Sequence, residues 1–351
     1  MTTIARGNTN ELLDESDRMK AARLHGYGKP DMFVYEDVEK PTPTSNQVLI
    51  KVESVSVNFA DLMRRRNDSY PYPTPLPAIL GGEVAGTVAA LGEDVEGIKV
   101  GDLVFAVLPN GGMGGYAQYA IADIRQTIPI PQGMTTDQAS TLVIAGVTAL
   151  QMLRDVARLQ PGESVFIPGA TGGVGSYAIQ IAKVLGANPI FAGVSLESKR
   201  DSALQLGAHY AIDYSQATWS QEVRSLTDGK GVDVVLEMTG GGDIFNESFE
   251  SLATFGRLVI YGSAGQTKGS VEPGRLGRAN QSLLGYYVAG QFQGRPRAAV
   301  QALQDLSALI LSGQIEVKIS HTLPLSQVAK AHEILESRQS TGKIILKPWL
   351  N

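Results

Sequence analysis

The apolar positions of this chain follow two grammars, with a change near Asp137. From Gln47 to Val57, Val48, Ile50, Val52 and Val55 alternate with polar neighbours, which is the period of a half-buried strand. Val84–Ala90, Leu103–Val107 and Tyr116–Ile121 predict further short strands, separated by glycine turns at Gly81-Gly82, Gly92 and Gly111-Gly112. Strands at this spacing predict a partly closed, β-rich domain. Beyond Asp137, Leu150, Leu153, Val156 and Leu159 fall at helical spacing until Pro161-Gly162 stops them. Ser164–Ile167 is then a short apolar run suited to a strand buried on both faces, and similar runs follow at Ile190–Val194, Tyr210–Asp213, Val232–Leu236 and Arg257–Tyr261. Helical segments such as Lys199–Leu206 and Ser248–Ala253 lie between them, and this alternation predicts a parallel sheet with right-handed crossovers. After about Tyr287 the pattern predicts a helix (Arg297–Leu311), a strand (Ile315–Ile319), a helix (Leu325–Glu336) and a last strand (Lys343–Lys347).

The length of 351 residues calls for more than one core. Residues 1–18, polar and poor in apolar anchors, are expected to form a flexible extension, with Glu11–Arg18 able to fold as a short helix. The composition contains no cysteine, which excludes disulfides, cysteine nucleophiles and any zinc site built on thiolates. The four histidines (His25, His209, His321, His332) lack the short spacing that sets two ligands on one helix face, so no metal is expected. A net charge of -5 offers no general attraction for nucleic acid or anionic lipid. No stretch approaches the roughly 18 apolar residues of a membrane span, and Met1–Asp17 lacks the basic-then-apolar pattern of a secretory signal. A soluble cytoplasmic protein is the expectation.

Glycine is abundant, at 39 residues, so some glycines should serve tight turns and ligand loops. After the buried run ending at Ile167 comes Pro168-Gly169-Ala170-Thr171-Gly172-Gly173-Val174-Gly175, and then a helix whose apolar face is Val174, Ala178, Ile181, Ala182 and Leu185. Strand, glycine turn and helix form the context of a dinucleotide fingerprint, with the pyrophosphate at the helix N-terminus; Ala170 fills the first position of the pattern. At the end of the second strand an NAD site usually places an acid against the ribose 2′-hydroxyl. Here that position is Ser195, followed by Lys199 and Arg200. Serine leaves room for a 2′-phosphate and either cation can neutralise it, which points to NADPH. The plainer reading makes Lys199-Arg200 a solvated helix face and Glu197 the ribose ligand.

These residues, together with Val57-Asn58-Phe59-Ala60-Asp61, Gly81-Gly82-Glu83-Val84-Ala85-Gly86, Val100-Gly101-Asp102-Leu103-Val104, Gly146-Val147-Thr148-Ala149-Leu150 and Thr341-Gly342-Lys343, carry a resemblance. From about Met19 to Leu350 the chain resembles the quinone oxidoreductase (zeta-crystallin-like) branch of the medium-chain dehydrogenase/reductase superfamily. Gly82 stands where the zinc alcohol dehydrogenases of that superfamily have a histidine ligand, and Asn58 where they have a catalytic cysteine. The resemblance implies an α/β fold in which a Rossmann doubly wound parallel sheet (145–288) is inserted in a GroES-like β-rich catalytic domain (19–144 and 289–351). It implies a cleft between them for nicotinamide and substrate, and a homodimer paired through edge strands, for which Leu283–Val288 is the apolar candidate.

The reaction so implied is NADPH-dependent hydride transfer, without zinc, to a quinone or an α,β-unsaturated carbonyl. Hydrogen-bond donors must then stabilise the developing oxyanion, and an acid or water must supply a proton. The resemblance directs attention to Asn58 and Asp61 on one cleft wall and to Tyr70 as proton donor, with Tyr72 a substitute because the loop is one residue longer than usual. Thr148, Gly262 and Ser263 match positions that flank the nicotinamide, and Tyr214 an adenosine-phosphate contact. The alternative readings are an enoyl-thioester reductase and an NADPH-binding module with little turnover. Asp61 can equally tie down backbone or Arg65, and the Tyr70–Pro73 segment can simply be a stiff loop.

Overall fold

The computed structural model describes residues 17–265 and 268–351. The expected extension lies outside the described residues except for Asp17 and Arg18. Arg18 opens the first of the sixteen strands among the described residues: β1 Arg18–Leu24, β2 Phe33–Glu39, β3 Gln47–Val57, β4 Ala78–Ile79, β5 Glu83–Leu91, β6 Leu103–Val107, β7 Tyr119–Asp123, β8 Thr127–Pro129, β9 Val165–Ile167, β10 Ile190–Val194, β11 Tyr210–Asp213, β12 Val232–Glu237, β13 Leu252–Ile260, β14 Ser282–Gly285, β15 Ile319–Pro324 and β16 Lys343–Lys347.

The alternation in Gln47–Val57 becomes the long central strand of a mixed sheet ordered β15-β16-β3-β5-β6-β8, with β7 also paired to β3. Val48, Ile50, Val52 and Val55 are fully buried on its inner face, whereas Lys51 stays exposed. β16 returns from the far end of the chain and pairs antiparallel with β3, Ile344 opposite Val57. β2, β1 and β4 form a small sheet beside it. This part is the GroES-like β-rich unit.

The middle of the chain forms a parallel sheet ordered β11-β10-β9-β12-β13-β14. The chain moves outward from β9 to β10 and β11, then crosses back to β12. The crevice between β9 and β12 is therefore the topological switch point, where ligands bind in open α/β sheets. Val165, Phe166 and Ile167 of β9 are buried on both faces, each contributing about 1.5–3 kcal/mol. Phe166 stacks on Trp219 at 4.3 Å. The fold is a Rossmann doubly wound sheet joined to a GroES-like unit.

Several elements differ from expectation at their edges, and four of them bear on the packing. The strand expected from Tyr116 begins at Tyr119, because Tyr116 and Ala117 are drawn toward the small sheet: Tyr116 N donates to Leu80 O, and Ala22 N donates to Tyr116 O. The helix expected at Ser248–Ala253 runs over Gly242–Glu250, and Leu252 already belongs to β13. The strand expected at Ile315–Ile319 is β15, Ile319–Pro324; Ile315 instead closes the preceding helix (Pro296–Leu311) by donating to Leu309 O, its side chain sunk in the core. The helical run around Leu150 extends back to Leu142, with wide turns at Leu142–Val147 and Met152–Val156 in which Gly146 N reaches Thr141 O and Ala157 N reaches Met152 O. Such i→i−5 turns often mark functional positions. Among the described residues, no helix is long and apolar enough to cross a membrane.

Candidate active site

The glycine loop leaves β9 and enters the helix Gly173–Val184, with Gly172 as its N-cap. Loop geometry dictates the residue types. A Cβ on Gly175 would lie 2.4 Å from Gly169 O, and one on Gly262, in the loop after β13, 2.4 Å from Met238 O. Ala170 N donates to Gly193 O at 3.0 Å and Gly172 N to Gly169 O at 2.9 Å, and Ala170 and Thr171 are buried. With Val174 in the first turn, this cradle leaves the N-terminal N–H groups of a twelve-residue helix facing the switch-point crevice, a geometry that fits a pyrophosphate.

At the C-terminal ends of the next two strands, Ser195 follows β10 and Tyr214 follows β11. Tyr214 N donates to Val194 O at 3.1 Å, and a Cβ on Gly193 would meet the Tyr214 ring at 3.0 Å, so β10 passes directly beneath that ring. Glu197, the alternative ribose ligand, turns outward with 87% of its side chain exposed and pairs with Arg200 at 3.5 Å. Lys199 departs from its expected use. Its ammonium is buried against two carbonyls, Arg338 O and Ser340 O, the latter at 2.8 Å; burial, followed by the charge of Arg338, lowers its pKa. The exposed cation brought to this place is Arg338, which the linear pattern does not single out because it follows a helix 139 residues from Lys199.

The floor of the cleft is a buried charge cluster. Asp61 lies in the first turn of the helix Phe59–Arg66, where its two oxygens accept from Asn58 N (2.9 Å) and Gly81 N (3.0 Å). Asn58 Oδ1 accepts from Lys343 Nζ at 2.5 Å, while its Nδ2 donates to Ser56 O and Ser56 Oγ. Glu83 Oε1 accepts from Val143 N (2.7 Å) and Ile144 N (3.1 Å), and Oε2 from Ser56 Oγ. Burial raises the pKa values of Asp61 and Glu83 and lowers that of Lys343, with the opposite charges pulling each back. Asp61 is thus engaged with backbone N–H groups, the second of its two expected uses, and Asn58 with Lys343 and Ser56.

Lys343 also carries this cluster to the nucleotide loop. A Cβ on Gly173 would meet Lys343 Cδ at 2.9 Å, and Gly342 N donates to Thr171 O at 2.7 Å. The segment 338–343 thus touches Lys199, the glycine loop and the cleft floor. Thr148, buried between the two wide helical turns, lies near Tyr286, whose hydroxyl donates to Gln151 Oε1 at 2.9 Å. Gly262 and Ser263 close against Met238–Gly240 at the C-terminal end of β12.

The opposite wall is aromatic. Tyr70 and Tyr72 lie with ring centroids 6.3 Å apart, and Gln293 Nε2 donates to Tyr72 Oη at 3.5 Å. Tyr287 approaches from the segment after β14; burial, then the neighbouring Tyr70 and Tyr72, push its pKa up to about 12. Arg64 lies under Tyr70, its guanidinium carbon 4.5 Å from the ring centroid. Burial raises the Tyr70 pKa, and Arg64 opposes that rise. Tyr70 is therefore a half-buried hydroxyl beside a fixed cation; its Oη donates to Gly111 O at 3.4 Å, and on balance its pKa stays above the ordinary tyrosine value.

Donor chemistry does not fit a catalytic zinc. The chain has no cysteine, and among the described residues no three His, Cys, Asp or Glu side chains cluster as ligands. Gly82 packs against Gly112, a Cβ at Gly82 meeting Gly112 Cα at 3.1 Å, so a larger side chain where a histidine ligand would stand requires Gly112 to move.

A β-rich unit, a six-stranded parallel dinucleotide sheet and a cleft bounded by both define a medium-chain dehydrogenase/reductase. Residues 44–132 match the alcohol dehydrogenase GroES-like domain family, and residues 173–305 the family described as zinc-binding dehydrogenase. The chain is 32% identical over 330 residues to a quinone oxidoreductase of Pseudomonas aeruginosa, covering 94% of this chain and 99% of that protein. It is 31% identical over 335 residues to a 2-haloacrylate reductase of Burkholderia, covering 93% and 98%. The Escherichia coli quinone oxidoreductase complexed with NADPH superposes with a TM-score of 0.85 at 29% identity, over 94% of this chain and 100% of that one. The chain belongs to the quinone oxidoreductase branch of the medium-chain dehydrogenase/reductase superfamily.

Proposed function

We propose that this chain is an NADPH-dependent, zinc-independent reductase of quinones or α,β-unsaturated carbonyls. The observation that carries the reading is the cleft itself: hydroxyl groups beside a fixed cation on one wall, a glycine cradle on the other, and, among the described residues, no donor set for a metal. The NADPH-bound Escherichia coli relative and the 2-haloacrylate reductase relative support the same chemistry.

In this reading Ala170–Gly175 receives the pyrophosphate, and Ser195, Tyr214 and Arg338 surround the 2′-phosphate, with Lys199 holding the Arg338 loop in place. Thr148, Gly262 and Ser263 border the nicotinamide. The reduced nicotinamide supplies a hydride to the β-carbon of the acceptor. Tyr70 hydrogen-bonds the carbonyl side of the acceptor and delivers the proton, with Tyr72 alongside. Asn58 and Asp61 keep the helix 59–66, and with it Arg64 and the tyrosine loop, at a fixed distance from the glycine cradle. β14 is an edge strand, and Leu283, 37% exposed on it, marks the proposed seam of a homodimer.

The test is consumption of NADPH and NADH with a quinone, a short enone, an enoyl-CoA and a simple aldehyde. The account predicts turnover of the quinone or enone and a preference for NADPH of at least about tenfold, the effect of one charge-assisted contact. Turnover of the aldehyde alone would contradict the reaction, dominance of the enoyl-CoA would favour thioester reduction, and equal use of NADH would contradict the cofactor assignment.

A further inference from the structure

Three successive arginines end the helix 59–66, and the chain treats them differently. Arg65 pairs with Glu336 at 2.6 Å and Arg66 with Asp68 at 2.5 Å. Arg64 is 1% exposed, yet among the described residues no carboxylate lies within ion-pair distance of it. Its partners are neutral: Thr74 Oγ1 at 3.1 Å, Asn110 O at 2.9 Å and Gly111 O at 3.0 Å. Its Nε is buried without a partner. A guanidinium does not lose its proton in a protein. Carbonyls and a hydroxyl solvate its charge but do not cancel it, so a positive potential persists in a region of low dielectric.

That potential acts on the aromatic wall. Arg64 lies under the Tyr70 ring, and a Cβ on Gly111 would meet both the Tyr72 ring (2.5 Å) and Arg64 Nη2 (2.6 Å). Both Tyr70 and Tyr287 feel its charge. Asp61, one turn earlier, acts on Tyr70 in the other direction and more weakly, its oxygens engaged by Asn58 N and Gly81 N. A neutral quinone or enone has no net charge with which to use this potential on entry. A conjugated acid does: it arrives as an anion and becomes more negative as hydride adds, so it needs a fixed cation beside its carboxylate.

We propose that Arg64 is a specificity-determining positioning residue that selects α,β-unsaturated carboxylates, acting through the hydroxyls of Tyr70 and Tyr72 that touch the carboxylate. This rests on the reductase reading above and narrows its substrate class.

The experiment compares an acid with its own ester, 2-chloroacrylate and methyl 2-chloroacrylate, alongside a neutral quinone. For the wild-type chain, kcat/KM is expected to be higher for the acid than for the ester. Arg64→Met should collapse that ratio by about tenfold or more, chiefly through KM for the acid, while Arg64→Lys retains most of it. A merely structural role would lower acid and ester together and leave the ratio unchanged, which overturns the proposal. Should Arg64→Met fail to fold, the lysine variant and the wild-type ratio still decide: a wild-type ratio at or below one is equally fatal. Turnover of quinone without either acrylate defeats this proposal and leaves the reductase reading standing, whereas turnover of none of the three defeats both.

Discussion

Lys343 Nζ donates to Asn58 Oδ1 at 2.5 Å, joining positions 285 residues apart. The bond ties the first residue of β16 to the N-cap of the helix 59–66, and Lys343 is also the nearest side chain beneath Gly173. One ammonium thus connects the cleft floor with the nucleotide cradle.

Lys343→Met should therefore cost stability. It removes the cation that faces the buried Glu83 and Asp61 carboxylates, and breaking such a cluster from one side costs on the order of 3 kcal/mol. Denaturant unfolding of Lys343→Met, Glu83→Gln and the double variant measures this. The double variant is expected to lose less than the sum of the singles; strict additivity would show that the two charges do not communicate.

The glycine loop makes a sharper prediction. Gly175→Ala places a Cβ 2.4 Å from Gly169 O, so backbone must shift in the pyrophosphate cradle. NADPH affinity, read by quenching of protein fluorescence, should weaken by about tenfold or more, some 1.4 kcal/mol. Gly294→Ala, where an added Cβ has no neighbour within 4 Å, is the matched control and should bind normally.

Tyr70→Phe tests proton delivery. It keeps the ring over Arg64 and removes only the hydroxyl. Loss of a positioned acid lowers kcat by about 10²-fold, with KM for NADPH little changed. A variant that retains full kcat would transfer the role to Tyr72 or to water.

His332 supplies a pH signature of folding. It is fully buried, with Tyr116 Oη at 3.1 Å and the Phe33 ring at 4.8 Å. Burial, then the charge of Arg65, lowers its pKa to about 3. The unfolded chain takes up this proton near the ordinary histidine value of about 6.5, and the folded chain refuses it until about pH 3. Stability is thus fully present above pH 6.5 and declines as pH falls toward 3. Asp61 and Glu83, whose pKa values are raised, give the opposite slope where they titrate. The difference between wild type and His332→Gln isolates the histidine: the variant's stability should fall less between pH 6.5 and 4.5, and parallel curves would contradict the assignment.

Local signals carried most of the architecture. β3, β6, β10 and β16 begin and end where the alternation of Gln47–Val57, the apolar runs of Leu103–Val107 and Ile190–Val194, and the strand signal of Lys343–Lys347 place them, because strand period and glycine turns are short-range. The loop Ala170–Gly175 was legible for the same reason. The side-chain network was not. Lys199 reads as a phosphate ligand by position alone, and only the return of 338–343 across the nucleotide unit shows its ammonium engaged by carbonyls. Arg64 and Arg338 stood out only once segments distant in the chain had met, as did the contacts of Lys343. Asp61 and Asn58 were legible by type, whereas their partners, backbone N–H groups and a lysine, were not.

The central claim is hydride delivery from NADPH to the β-carbon of a conjugated acceptor, and isotope transfer tests it most directly. The chain is incubated with a cyclic enone and NADPH deuterated at nicotinamide C4, once on each face, and the product is analysed by mass spectrometry and NMR. The account predicts one deuterium at the β-carbon from one of the two labelled cofactors and solvent hydrogen at the α-carbon. Deuterium at the carbonyl carbon, or a reduced product that carries no label from either cofactor, would contradict it.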